Sequence, residues 1–167
     1  METRRPYRSF VSYIDRSRDY YAAQGYTKPF AWSYHREVPF TRLTKPLSKC
    51  RVGALTTAGQ PGAELQDLPR GKVRDLYALG ADPPPQRLVT DDLSWDKNAT
   101  HTDDLDSFLP LNRLSEYAAD NRIGSTSARF YGVPTSYSRG KTLRDYAPQV
   151  LNWCREDAVD AMLLSGL

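Results

Sequence analysis

The sequence predicts an α/β domain: an open, mostly parallel sheet with helices on both faces, preceded by an N-terminal helix and an extended arm rich in proline and aromatic residues. Three observations carry this. CRVGALTT (50–57) and VDAMLL (159–164) are apolar runs of strand length bounded by turn or polar residues. Helical and strand patterns alternate from Leu111 onward. The last apolar run also follows a helical stripe directly, as expected of a parallel strand covered on both faces. The arm and N-terminal helix occupy 1–47 and the α/β domain 48–167, which is expected to be incomplete at its C-terminus.

The N-terminal helix is read over Ser9–Ala23, where Phe10, Val11, Ile14, Tyr20 and Tyr21 fall near helical spacing and Gly25 suits the C-terminal cap. From Tyr26 to Leu47, Pro29, Pro39 and Pro46 alternate with aromatic side chains, which opposes regular structure and predicts a strap. The first strand, at 50–57, ends in the turn cluster AGQPG. No period marks 62–86, DPPPQ at 82–86 forces an extended connection, and a second strand is expected at Arg87–Thr90.

Pro110 and the face Leu111, Leu114, Tyr117 and Ala118 predict a helix closing at Gly124. Ser125–Val133 reads as a strand. Leu143, Tyr146, Ala147, Val150, Leu151 and Cys154 then form the strongest helical stripe, which places Cys154 in the core.

Composition limits the function classes. The net charge is +3, and the only basic concentration is Arg4, Arg5 and Arg8, so no nucleic-acid partner is expected. No apolar segment is long enough to cross a membrane and no export signal opens the chain, so a cytoplasmic protein without a membrane partner is expected. Cys50 and Cys154 stand far apart without metal or redox spacing and read as buried thiols.

In open α/β sheets ligands gather beyond the carboxyl ends of the strands, here 56–59, 90–95, 129–133 and whatever follows Leu164. The second of these is acidic: Asp91, Asp92, Asp96, Asp103, Asp104 and Asp106 lie within 16 residues, joined by His101. Such a cluster can bind a hard metal, orient an ammonium group, perform acid–base chemistry, or simply cap a helix and close turns. HTDD has no second histidine at ligand spacing and no calcium-loop pattern, so no metal is expected. Nucleophile elbows, dinucleotide fingerprints and phosphate-binding loops are absent from the sequence. Substrate contacts are expected from His101, Asp103, Asp104, Arg129 and Tyr131, with the aspartates facing an amino group and Arg129 a carboxylate.

Five stretches taken in order resemble a family: YIDRSRDYY (13–21), VPFTRLTKPLSKCRVGALTTAG (38–59), WDKNATHTDDLDSFLPLNRLSEYA (95–118), IGSTSARFYGVP (123–134) and YAPQVLNWCREDAVDAMLL (146–164). Together they resemble the selenoprotein B-type subunits of the glycine, sarcosine, betaine and D-proline reductases. The resemblance implies an oxidoreductase that cleaves a carbon–nitrogen bond of an amino-acid-like substrate with dithiol electrons, a disulfide being the acceptor. It also implies other reductase subunits or a thiol reductant protein as partners, with homo-oligomerisation a further expectation. The family's cysteine or selenocysteine motif follows the strand matching 158–164, whereas this sequence ends at Leu167. No catalytic residue or cofactor is therefore expected within the chain, and a UGA codon read as selenocysteine is expected next. A cysteine lost by frameshift and a short homologue are the alternatives. The rival reading is a non-catalytic small-molecule-binding or assembly module.

Overall fold

A computed structural model describes residues 12–26, 36–38, 41–62, 75–91, 93, 97–136 and 138–167. The chain divides into two compact units, Met1–Pro39 and Phe40–Leu167. In the first, helix α1 spans Tyr13–Ala23; the Ser12 hydroxyl caps it by accepting from the Asp15 amide at 3.3 Å. Gly25, with φ +86°, ends it: the Gly25 amide donates to Ala22 and the Tyr26 amide to Tyr21, which satisfies two terminal carbonyls. Residues 9–11 of the expected helix lie outside the described residues, as does half of the strap.

The second unit is built on a sheet of five strands. They are β1 (Arg51–Thr56), β2 (Tyr77–Gly80), β3 (Ser125–Thr126), β4 (Arg129–Gly132) and β5 (Ala161–Ser165). β1 is central. The carbonyls of Cys50 just before it and of its own Val52 and Thr56 accept from the β3–β4 side, and that of Arg51 from Asp160 just before β5. Both neighbours run parallel to β1, while β2 pairs antiparallel with β4. The sheet is therefore mostly parallel, with helices on both faces. Leu111 and Leu114 of α2 (Leu111–Ala119) pack with Ala54 and Phe130 on one side. Tyr131 alternates with Phe130 to the other side, where its ring stacks at 5.8 Å on Trp153 of the last helix.

That helix is composite: α3 (Arg139–Lys141), a π-helical turn (Thr142–Tyr146) and α4 (Ala147–Glu156). The sequence stripe is correct as a helix but not as a buried face. Tyr146 is buried, Cys154 only partly, and Leu143 and Leu151 are exposed. A π turn holds an extra residue, so side chains before and after it no longer fall on one line.

Two other expectations change. The strand expected at 87–90 is a single bridge between Val89 and Gly59, while the true second strand is Tyr77–Gly80. Leu88 and Val89 are apolar because they are buried, not because they form a ladder. The strand expected across 125–133 is interrupted at Ser127–Ala128. Close approach decides two glycines: a Cβ on Gly132 would overlap the Tyr77 ring, and one on Gly124 would stand 2.6 Å from the Lys49 carbonyl carbon.

Candidate functional site

The parallel strands give the sheet an amino edge and a carboxyl edge, and each gathers a polar group. In open α/β sheets the carboxyl edge is where ligands collect. Hydroxyls line this edge. Thr56 is fully buried, its Oγ1 accepting from the Ala58 amide at 3.2 Å and its carbonyl from the Val133 amide at 3.0 Å. Next to the Gly59–Val89 bridge, Thr90 Oγ1 lies 2.6 Å from Thr102 Oγ1. Tyr77 Oη donates to the Ala58 carbonyl at 2.7 Å. Thr57 Oγ1 accepts from the Leu167 amide at 2.9 Å and donates to its carbonyl at 3.4 Å, which pins the end of β5 against the end of β1. Ser165 Oγ donates to the Phe108 carbonyl.

Two further hydroxyls stand in the segment leaving β4. Thr135 Oγ1 is buried with no hydrogen-bond partner among the described residues, while Tyr146 Oη, also buried, has none of ordinary length and angle but lies within reach of Lys141. An unmet buried hydroxyl costs roughly 1–3 kcal/mol. Tyr146 sits on the π turn, with the Lys141 ammonium 5.2 Å from its ring centroid. A side-chain hydrogen bond with Tyr146, then the charge of that group, raises the Lys141 pKa above the usual lysine value, with smaller contributions from Asp145 and Asp75. Asp75 lies two residues before Tyr77, the first residue of β2, which pairs with Gly132 at the end of β4.

Toward the amino edge, Asp157 between α4 and β5 is the hub. The Arg129 guanidinium grips it in a fork, Nε to Oδ2 at 2.9 Å and Nη2 to Oδ1 at 2.9 Å, while Nη2 also reaches Glu156 Oε2 at 2.9 Å. Tyr131 Oη donates to Asp157 Oδ2 at 2.6 Å, and Arg51 Nη1 to the Asp157 carbonyl at 2.8 Å. Burial pushes the Asp157 carboxyl up, but the hydrogen bonds from Arg129 and Tyr131 outweigh it and hold the pKa below the ordinary value. The bond to Asp157, then that to Glu156, raises the Arg129 pKa; burial first and the Asp157 bond second raise that of Tyr131. Burial and the charge of Asp157 push the Cys154 thiol up, the opposite of a thiol activated for attack.

The expected contact residues fall into separate places. Arg129 and Tyr131 meet on Asp157, so the Arg129 fork already holds carboxylates of its own chain. His101 Nδ1 lies 3.6 Å from Asp103 Oδ2, and their side chains are 72% and 90% exposed. Asp104 Oδ1 accepts from the Asp106 amide at 3.0 Å and caps a 3₁₀ turn, Leu105–Ser107. Asp106 in turn accepts from the Asn112 amide at 3.0 Å and pairs with Arg113. Asp91 pairs with Arg87, and Asp92 and Asp96 lie outside the described residues. Much of the acidic cluster is thus spent on turns and on the start of α2. The sequence reading passed over Lys141, Tyr146 and Thr135, and only the tyrosine carried a signal, its place on the helical stripe.

Among the described residues, no three His, Cys, Asp or Glu side chains gather as a metal-binding group, and no helix is long and apolar enough to cross a membrane. A cavity between α2 and β1, lined by Val52, Ala54, Leu111 and Leu114, has a volume of about 10 Å³, too small for an amino acid. Compared with protein-family models, curated proteins and solved structures, the chain matches none.

Proposed function

We propose that the domain is the substrate-holding part of a reductase that cleaves the carbon–nitrogen bond of an amino-acid-like molecule, its redox cysteine or selenocysteine lying beyond Leu167. The observation that carries this reading is the clasp between Thr57 and Leu167. It sets the end of β5 beside the hydroxyl-lined end of β1, where a thiol or selenol carried onward from β5 would meet a ligand held at the carboxyl edge. In such a reaction two thiols give up two electrons and close to a disulfide, the carbon gains a hydrogen, and the nitrogen leaves as ammonia or an amine or, from a cyclic substrate, stays on the opened chain as a primary amine. Other reductase subunits or a thiol reductant protein would resupply the electrons, and the cytoplasm is the compartment that keeps thiols reduced.

This chain's own cysteines do not suit the role. Cys50 is fully buried, its Sγ donating to the Pro46 carbonyl at 3.4 Å, and the Cys154 thiol is held protonated. The gene should be sequenced through the codons after Leu167, and its full product assayed with dithiothreitol for ammonia or amine release from glycine, sarcosine and betaine and for ring opening of D-proline. An in-frame UGA or Cys codon and dithiol-dependent release are expected. A stop codon without continuation, or a full product that releases nothing, would discard the reductase reading.

One observation favours the second reading, an assembly module. β5 pairs only with β1 among the described strands, and Leu164 on it is 71% exposed, near-bare apolar surface on a sheet edge. Concentration-dependent dimerisation of the chain would support that reading, and a monomer at all concentrations would oppose self-assembly.

A further inference from the structure

We infer that the free edge of β5 is an interface for a second copy of the chain, the two β5 strands pairing antiparallel about a two-fold axis normal to the sheet, so that the sheets of both copies become one. The inference deepens the assembly reading, on which it rests. It leaves the reductase reading untouched, because the pairing occupies the side of β5 and not the chain beyond its end.

The strand itself gives the first argument. A strand parallel to its neighbour is ordinarily covered on both faces. Leu163 and Leu164 are successive and so point to opposite faces, yet they are 38% and 71% exposed. On the side away from β1, β5 pairs with no described strand. Edges that stay free are commonly guarded by a charge, a proline or a bulge, and AMLLS carries neither charge nor proline. Antiparallel pairing of all five residues sets Leu163 opposite its own copy on one face, and Met162 opposite Leu164 of the second copy on the other. Apolar cross-strand pairs of this kind stabilise a ladder, and the open N–H and C=O groups of both edges are met at once.

Charge gives the second argument and selects the occupant. At the amino end of β5, Asp160 lies 2.7 Å from the Lys45 ammonium and accepts from the Arg51 amide. There the exposed Lys45, Lys49, Arg51 and Arg155 outnumber Asp160 and Glu156, while Arg129 is closed on Asp157. At the carboxyl end, Ser165 donates to the Phe108 carbonyl, which brings the segment before Phe108 alongside. There Asp103, Asp104 and Asp106 outnumber Arg113. Antiparallel pairing lays the basic end of each copy beside the acidic end of the other, at both ends alike, whereas parallel pairing would set like charge against like. A surface that is its own complement under a two-fold axis is the signature of an isologous dimer.

The test is sedimentation equilibrium of the chain at low and high salt, repeated on Leu164→Lys, together with mild oxidation of Leu163→Cys. Leu164 is already exposed, so the lysine leaves the fold intact, which thermal unfolding checks. Directly opposed residues have Cα atoms about 4.5–5.5 Å apart, within reach of a disulfide. A dimer that tightens at low salt, is weakened at least tenfold by Leu164→Lys and is locked covalently by Leu163→Cys is expected. A dimer that the lysine leaves intact and the cysteine does not lock overturns the inference alone, since the copies then meet elsewhere. A parent chain that stays monomeric at all concentrations overturns both the inference and self-assembly.

Discussion

The two polar clusters of the α/β unit are built from similar side chains and end in opposite states. Around Asp157 the groups satisfy one another: Arg129 is forked onto carboxylates, Tyr131 donates, and Arg51 holds the backbone. Along the carboxyl edge, Thr135 buries a hydroxyl without a partner among the described residues, and the buried Tyr146 is met from its own helix by Lys141. A closed network joins elements of the fold, here β4, α4 and β5, whereas an open one is where a ligand gains most from binding. Arginine, tyrosine and aspartate in proximity are thus weak evidence of a binding site until their partners are counted.

The largest effect should come from opening the closed cluster. Asp157→Ala is expected to cost about 2 kcal/mol in urea unfolding, below the roughly 3–5 kcal/mol of a fully buried pair, because the Arg129 side chain is still 31% exposed. A loss under about 0.5 kcal/mol would mean the cluster holds nothing together. The same carboxyl sets an acid limb. Its folded pKa is lowered, so its stabilisation is present above the unfolded value near pH 4 and is lost as pH falls through the folded value. Stability measured downward from about pH 5 should therefore drop more steeply in the parent than in Asp157→Ala.

Next in size is Arg129→Lys, which keeps the charge and loses the fork, with an expected cost of about 1 kcal/mol and no change in the affinity for glycine or acetate. A fall in affinity with stability intact would reverse the comparison and return Arg129 to the ligand. Thr57→Val removes the clasp on Leu167 and should cost up to about 1 kcal/mol, read best as faster amide hydrogen exchange at the end of β5. Smallest are His101→Ala and Asp103→Ala. Their exposed pairing predicts unchanged thermal stability, so any loss of ligand binding in either variant would show a direct contact.

Much of the fold was legible because its strongest signals are local. The apolar runs that became β1 and β5, and the face of Leu111 and Leu114, report burial that sequence spacing records faithfully. β2 was missed because YALG is too short to alternate, and Leu88 and Val89 mimicked a strand while merely packing. The stripe from Leu143 to Cys154 misled because one π turn shifts its phase. The sites were less legible. Arg129 and Asp157 lie 28 positions apart, so their pairing has no spacing signature. The open state of Thr135 is a missing partner, which only the assembled packing around the end of β4 reveals.

The central claim is that ligand binds at the carboxyl edge and not around Asp157. Amide NMR spectra of the labelled chain, recorded during titration with glycine and acetate, test it most directly. Shifts confined to residues 56–59, 133–136 and 141–146 are the predicted result. Shifts centred on Arg129, Tyr131, Glu156 and Asp157, with the carboxyl edge silent, would contradict it.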